Sequence, residues 1–164
     1  MDFMNQAMIL ANKAMNHDDV PIGAVIVRDG KIIARGENRV QKCKNPTLHA
    51  EIVAINHAVK KLGTKFLDDC DIYVSLEPCA MCATAISFAR IRNIYFAAFD
   101  EKGGGITANA RIFDTDKHLW RPNIIQMPVY ADASAKLLRE FFKNRRKPRI
   151  QNDKKKRNNQ GIDT

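Results

Sequence analysis

The chain has 164 residues, 45% of them hydrophobic, and a formal net charge of +9. That length suits one domain with a proper core and excludes two comfortable ones. Four cysteines are poor material for a disulfide framework, no run approaches the roughly 18 apolar residues a membrane span needs, and no basic region precedes an apolar stretch at Met1-Asp2. The expected setting is therefore a reducing cytoplasm, with no membrane partner.

Met4, Ala7, Met8, Ala11, Ala14 and Met15 recur at helical spacing and predict a helix over residues 3–16. Residues 22–27 and 31–34 flank Asp29-Gly30 and read as a β-hairpin with a tight turn. Residues 36–46 form a polar loop. A helix over 47–62 follows, with Ile52, Ile55 and Val59 as its buried stripe and His57 as a partly buried structural histidine. A strand at 71–75 leads to a helix over 78–90 that opens on Pro78, the residue type favoured at the first helical position.

Another strand is expected at 93–97. Residues 100–121 are the least regular stretch: Gly103-Gly104-Gly105 permits either close backbone approach or flexibility, and residues 109–113 suggest a short helix. A strand at 123–127 and a helix over 133–147 close the domain. Leu137, Leu138, Phe141 and Phe142 form the helix's apolar side, and at least one of the two phenylalanines belongs to the core. Strands alternating with long helices predict an α/β protein, a three-layer α/β/α sandwich around a mixed sheet of about five strands. The domain covers residues 1–147.

The charge is uneven. Residues 1–142 carry 18 Lys+Arg against 16 Asp+Glu, whereas residues 143–164 carry 9 against 2. Residues 148–164 lack apolar periodicity and form a basic, disordered tail, either a solubilising end or a phosphate-binding arm.

His49-Ala50-Glu51 and Pro78-Cys79-Ala80-Met81-Cys82 carry the chemistry. A lone Cys-x-x-Cys also fits a redox dithiol, but the distant His-x-Glu supplies a third zinc ligand and an uncommitted carboxylate. Structural zinc sites close with four protein ligands; catalytic sites use three and leave the fourth position to water. Cys79 and Cys82 lie three apart, on one face of a first helical turn, where the dipole favours thiolate. His49 opens a second helix, so two helix N-termini aim at one Zn²⁺. Glu51 then moves protons from the attacking water to a ring nitrogen and a departing amine, which is hydrolytic deamination.

These two motifs match the signature of zinc-dependent nucleobase deaminases. With Val20-Pro21-Ile22-Gly23-Ala24-Val25, Glu37-Asn38-Arg39, Asn45-Pro46-Thr47-Leu48, Ser75-Leu76-Glu77 and Phe141-Phe142-Lys143, the chain resembles the bacterial tRNA-specific adenosine deaminase family up to about Lys147. That resemblance implies a cytidine deaminase-like fold, one zinc per chain, a homodimer, and conversion of adenosine to inosine at the wobble position of a tRNA anticodon. It carries over Asn38, Ala50, Phe142, Lys143 and Arg146 as contacts to the nucleoside and the anticodon stem-loop. Two segments depart from the family pattern, Leu48 beside the histidine and residues 117–121 before the last strand.

Two rival readings share parts of this pattern. A free guanine or cytosine deaminase would use the same catalytic residues but has no need for a basic tail. A non-catalytic RNA-binding subunit would hold structural zinc with Cys43, Cys70 or His57 as fourth ligand, and would not need Glu51.

Overall fold

Alternation along the strands sets the layers. β1 (Gly23–Arg28) pairs antiparallel with β2 (Lys31–Glu37) on one side and β3 (Asp71–Leu76) on the other, while β3, β4 (Asn93–Ala98) and β5 (Asn123–Gln126) run parallel. The resulting mixed sheet has the order β2-β1-β3-β4-β5. This is a computed structural model, and it describes residues 1–146; the expected tail and domain end, with the side chain of Arg146, lie outside the described residues.

On one face of the sheet, Ala24, Ile26, Ile72, Val74, Ile94 and Phe96 pack against α3 (Ala50–Leu62) and α4 (Ala80–Phe88). The intervening residues point the opposite way, as a period of two requires. Val25, Val27, Tyr73, Tyr95 and Ala97 meet α1 (Phe3–Met15), and α6 (Ala131–Arg146) packs along β4. Tyr73 and Tyr95 are register partners on parallel strands, and their rings stack with centroids 4.4 Å apart. The three-layer α/β/α expectation holds.

Two glycines let the helices reach the sheet. A Cβ on Gly23 would stand 2.1 Å from the Ala7 carbonyl oxygen of α1, and one on Gly36 would stand 2.1 Å from the Ala50 carbonyl oxygen of α3. Gly36 is thus part of β2, which runs to Glu37 where a loop was expected. The same expected loop contains a short helix, α2 (Val40–Cys43), whose first amides are bonded by the buried Asp19 carboxylate, at Gln41 N and Lys42 N. At the hairpin, Asp29 and Gly30 both have positive φ, the tight turn that their sequence predicts.

The contact row of α3 is smaller than the periodicity suggested. Ala50, Ala54 and Ala58 are fully buried beside Val53 and Ile55, while Ile52 and Val59 are half-buried. Alanines at i, i+4 and i+8 permit the close helix–sheet approach that Gly36 also demands. His57 is exposed, with Nδ1 2.9 Å from the Arg35 carbonyl oxygen, and is not a partly buried residue. In the irregular stretch the short helix is α5 (Ile112–Thr115), slightly later than expected. Trp120 Nε1 donates to Ile91 O and Ser87 Oγ donates to Trp120 O, which pins this stretch beside the end of α4.

Candidate metal centre and active site

His49 and Cys79 occupy equivalent positions. Each is the N-cap of its helix, with extended backbone (φ −69°, ψ 158° and φ −69°, ψ 172°), and neither side chain caps its own helix. An N-cap normally contributes a side-chain oxygen to its own helix amides. Here an imidazole and a thiol turn outward instead, beyond two helix ends that present free N–H groups and the positive end of the dipole.

The two helices start three and two residues later than expected, at Ala50 and Ala80. Pro78 precedes the N-cap instead of opening α4, because Gly105 N donates to Pro78 O at 2.9 Å and Cys79 forms a β-bridge with Gly104, holding both residues extended. Before α3, Asn45 Oδ1 accepts from Thr47 N and Thr47 Oγ1 at 3.0 and 2.8 Å, a turn that delays the helix to Ala50. α4 ends at Phe88, short of Arg90, whose φ is 57°.

The donors converge. His49 Nδ1 lies 3.6 Å from Cys79 Sγ and 3.5 Å from Cys82 Sγ, and the three ligand atoms all lie within 4.8 Å of one another. Zn–S of about 2.3 Å and Zn–N of about 2.0 Å at a tetrahedral angle place N and S about 3.5 Å apart. The donor set therefore fits Zn²⁺ in spacing and in chemistry. Among the described residues Cys43, Cys70 and His57 do not join the group. Cys70 is buried and donates to Asp69 Oδ1, and burial with that acceptor pushes its thiol up to about 12. Among the described residues the group has three protein donors and no fourth, which is the catalytic pattern and not the structural one.

The groups of the cluster shift one another's titration. The Cys82 thiol, donating to Cys79, holds Cys79 down at about 4 with help from His49, while Cys82 itself is pushed far up by that donation and by burial. Cys79, then Glu51, keep the His49 imidazole above its ordinary range against the effect of burial. Glu51, in the first turn of α3, is 3% exposed, and burial first, then the Cys79 charge, raises its carboxyl to about 7.

Beside this group opens a cavity of about 640 Å³ lined by Asn38, His49, Leu76, Asp100, Lys102 and Phe142, among others. Asn38 is 3% exposed, and its Oδ1 has no partner. Among the described residues only three buried side-chain polar atoms lack a partner; Asn38 Oδ1 and Glu51 Oε2 are two of them. Native folds satisfy such atoms, so the orphan on the cavity wall, Asn38 Oδ1, and the orphan in the first turn of the His49-capped helix, Glu51 Oε2, each mark a place for a ligand group.

Of the remaining expected contacts, Ala50 is fully buried as the first residue of α3, where the helix leaves its amide without an intrahelical acceptor. Phe141 is core, whereas Phe142 is 45% exposed on the cavity wall. Lys143 is exposed next to it, and Arg146 ends α6. Leu48 does not line the cavity.

Sequence reasoning missed Glu77. Its carboxylate is 2% exposed and accepts from Asp100 N, Ile106 N, Thr107 N and Thr107 Oγ1. The triple-glycine run is therefore for close approach, not flexibility: a Cβ on Gly105 would stand 2.4 Å from Ala80 N, and one on Gly104 2.7 Å from the Glu77 carboxyl. The signal available was the Glu-Pro-Cys triplet itself, whose acid no helix cap requires.

Comparison with known proteins agrees with this geometry. Residues 1–98 match the cytidine and deoxycytidylate deaminase zinc-binding region. The chain is 44% identical over 144 residues to the tRNA-specific adenosine deaminase of Agrobacterium fabrum, covering 88% of this chain and 94% of that one. A solved tRNA:A34 deaminase, studied for A-to-I editing at the wobble position of transfer RNA, superposes with a TM-score of 0.74 at 46% identity, over 76% of this chain and 96% of its own. The guanine deaminase of Bacillus subtilis matches a shorter stretch, 60% of this chain and 66% of its own, at 47% identity and a TM-score of 0.59. With its zinc-binding region, its fold and its near full-length likeness to these enzymes, the chain belongs to the tRNA-specific adenosine deaminase family of zinc-binding deaminases.

Proposed function

We propose that this protein is a hydrolytic deaminase that converts adenosine to inosine at the wobble position of a tRNA anticodon. His49, Cys79 and Cys82 hold one Zn²⁺ per chain. When bound, the metal acidifies water and stabilises developing negative charge. The observation that carries the proposal is the buried, orphaned Glu51 Oε2 in the first turn of the helix that His49 caps, where His49 joins Cys79 and Cys82 and also lines the cavity.

Burial raises the Glu51 carboxyl above its ordinary value, so it takes up a proton more readily than an exposed acid, which suits a group that both accepts and returns protons. Glu51 removes a proton from the attacking water and passes protons to the ring nitrogen and the exocyclic amine. One C–O bond forms at C6, the C–N bond breaks, and ammonia leaves as the carbonyl is established. Asn38 Oδ1 accepts a hydrogen bond from the nucleoside and orients it, and the Ala50 amide closes the base pocket. Phe142 offers an exposed ring on which a flipped-out anticodon base stacks, with Lys143 and Arg146 meeting phosphates. The reading also includes a cytoplasmic homodimer: the four cysteines are free, no described helix is long and apolar enough to cross a membrane, and exposed Met81 and Phe88 of α4 offer apolar surface to a second copy.

The likeness to a guanine deaminase favours a second reading, action on free guanine. Incubating the zinc-loaded protein in parallel with an anticodon stem-loop and with free guanine and cytosine separates the two. Inosine in the stem-loop alone is expected. Turnover of a free base without any inosine would overturn the assignment.

A further inference from the structure

Glu77 is a buried acid with four donors and, among the described residues, no cationic partner. Its two oxygens divide their duties. Oε1 accepts from Ile106 N at 3.2 Å, Thr107 N at 2.6 Å and Thr107 Oγ1 at 2.9 Å, whereas Oε2 accepts from Asp100 N at 3.1 Å. Asp100 in turn organises its own neighbours, with Oδ1 accepting from Lys102 N and Gly103 N and its carbonyl accepting from Gly104 N. Asp100, Lys102 and Gly103 line the same cavity as Asn38, His49 and Phe142. On its other side Glu77 adjoins Pro78-Cys79, and that dipeptide pairs with Gly104 and Gly105.

We infer that Glu77 is a positioning residue whose carboxylate clamps the Asp100–Gly103 wall of the substrate cavity to the metal-bearing helix end. It touches neither substrate nor metal; it sets how far the wall stands from the Cys79 ligand. The inference rests on the deaminase reading for its substrate but not for its geometry.

Glu77→Gln tests the division of duties. A glutamine offers one acceptor and two donors, so its oxygen stays with the three donors at Ile106 and Thr107, and its NH₂ then faces Asp100 N–H. The variant releases the cavity wall and spares the 106–107 end. Expected are zinc content equal to wild type, KM for the anticodon stem-loop raised about tenfold, as loss of one charged hydrogen bond implies, and kcat within about threefold. Amide exchange should accelerate at Asp100, Lys102 and Gly103 while Ile106 and Thr107 stay protected.

Gly104→Ala reaches the same wall sterically. The added Cβ meets the Glu77 carboxyl carbon at 2.7 Å and Asp100 O at 2.6 Å, and the same rise in KM is expected. A lowered melting temperature with unchanged KM and unchanged exchange at 100–103, in whichever variant folds, would overturn the inference. So would failure of both to fold in excess zinc, which would assign Glu77 to the fold as a whole. If the wild type makes no inosine, the deaminase reading fails on its own, and the exchange pattern still decides the clamp.

Discussion

Glu51 and Asn38 are the two residues whose chemistry is least explained by the fold alone. Glu51 Oε2 is buried without a partner, which destabilises the folded chain, so neutralising the carboxylate should not weaken it. Glu51→Gln is therefore expected to keep zinc and the wild-type melting temperature or better, while kcat falls by about 10²–10⁴-fold, the usual worth of a positioned proton-transfer group. Residual activity above a tenth of wild type would remove Glu51 from the proposed role. Phe142→Ala should raise KM for the stem-loop by about 5–100-fold through lost base stacking, with unchanged thermal stability because the ring is 45% exposed. An unchanged KM would show that no base stacks there. The metal ligands were legible in the sequence because they sit in two short segments with fixed spacing. Glu77 was not, since its donors lie 23 to 30 residues away in an irregular stretch whose path only the folded chain reveals.

Between elements, the close contacts decide. Gly36→Ala places a Cβ 2.1 Å from Ala50 O and 2.7 Å from Ala54 N, which pushes α3 off β2 and moves the His49 end of that helix. A loss of about 1–3 kcal/mol in denaturant unfolding is expected, as for other overpacked sites, together with weaker zinc retention. Wild-type zinc retention would show that His49 is held independently of this contact.

Glu37 joins the end of β2 to α1 and the following loop through Lys13 at 3.4 Å and Arg39 at 3.0 Å. Burial alone would raise its carboxyl, but the Arg39 and Lys13 charges outweigh burial and hold it below the ordinary value of 4.5. A depressed folded pKa contributes stability that is present above the unfolded value and is lost as pH falls through the folded one. Wild-type protein should thus lose more stability than Glu37→Gln as pH drops below about 4.5 in thermal melts of the metal-free forms. Parallel melting curves would contradict the pairing. Strand and helix identities were legible from period and turn residues. Element ends were not, because Pro78 and Gly36 are held by partners across the fold, Gly105 and Ala50, and not by neighbours in sequence.

For the molecule as a whole, two helix ends from different crossovers meet at one cluster of donors, so metal and fold are linked. Chelation should lower the melting temperature, and added zinc should restore it in a concentration-dependent way, since a ligand that binds only the folded state stabilises by mass action. Residues 148–164 contribute 5 Lys+Arg against 2 Asp+Glu, and their deletion is expected to flatten the salt dependence of stem-loop binding without altering kcat. Equal salt slopes would make the segment a solubilising end. The three-layer architecture was legible from strands alternating with long helices. The order β2-β1-β3-β4-β5 was not, because it depends on pairings such as Ala24 with Val74 that no local pattern encodes.

The proposed chemistry requires an incompletely ligated zinc with a buried carboxyl beside it. X-ray absorption at the zinc edge of the purified protein tests it most directly. Two sulfur neighbours at about 2.3 Å and two nitrogen or oxygen neighbours at about 2.0 Å are expected, one of the latter exchangeable with solvent. A third sulfur, a second imidazole, or no zinc at all would contradict it.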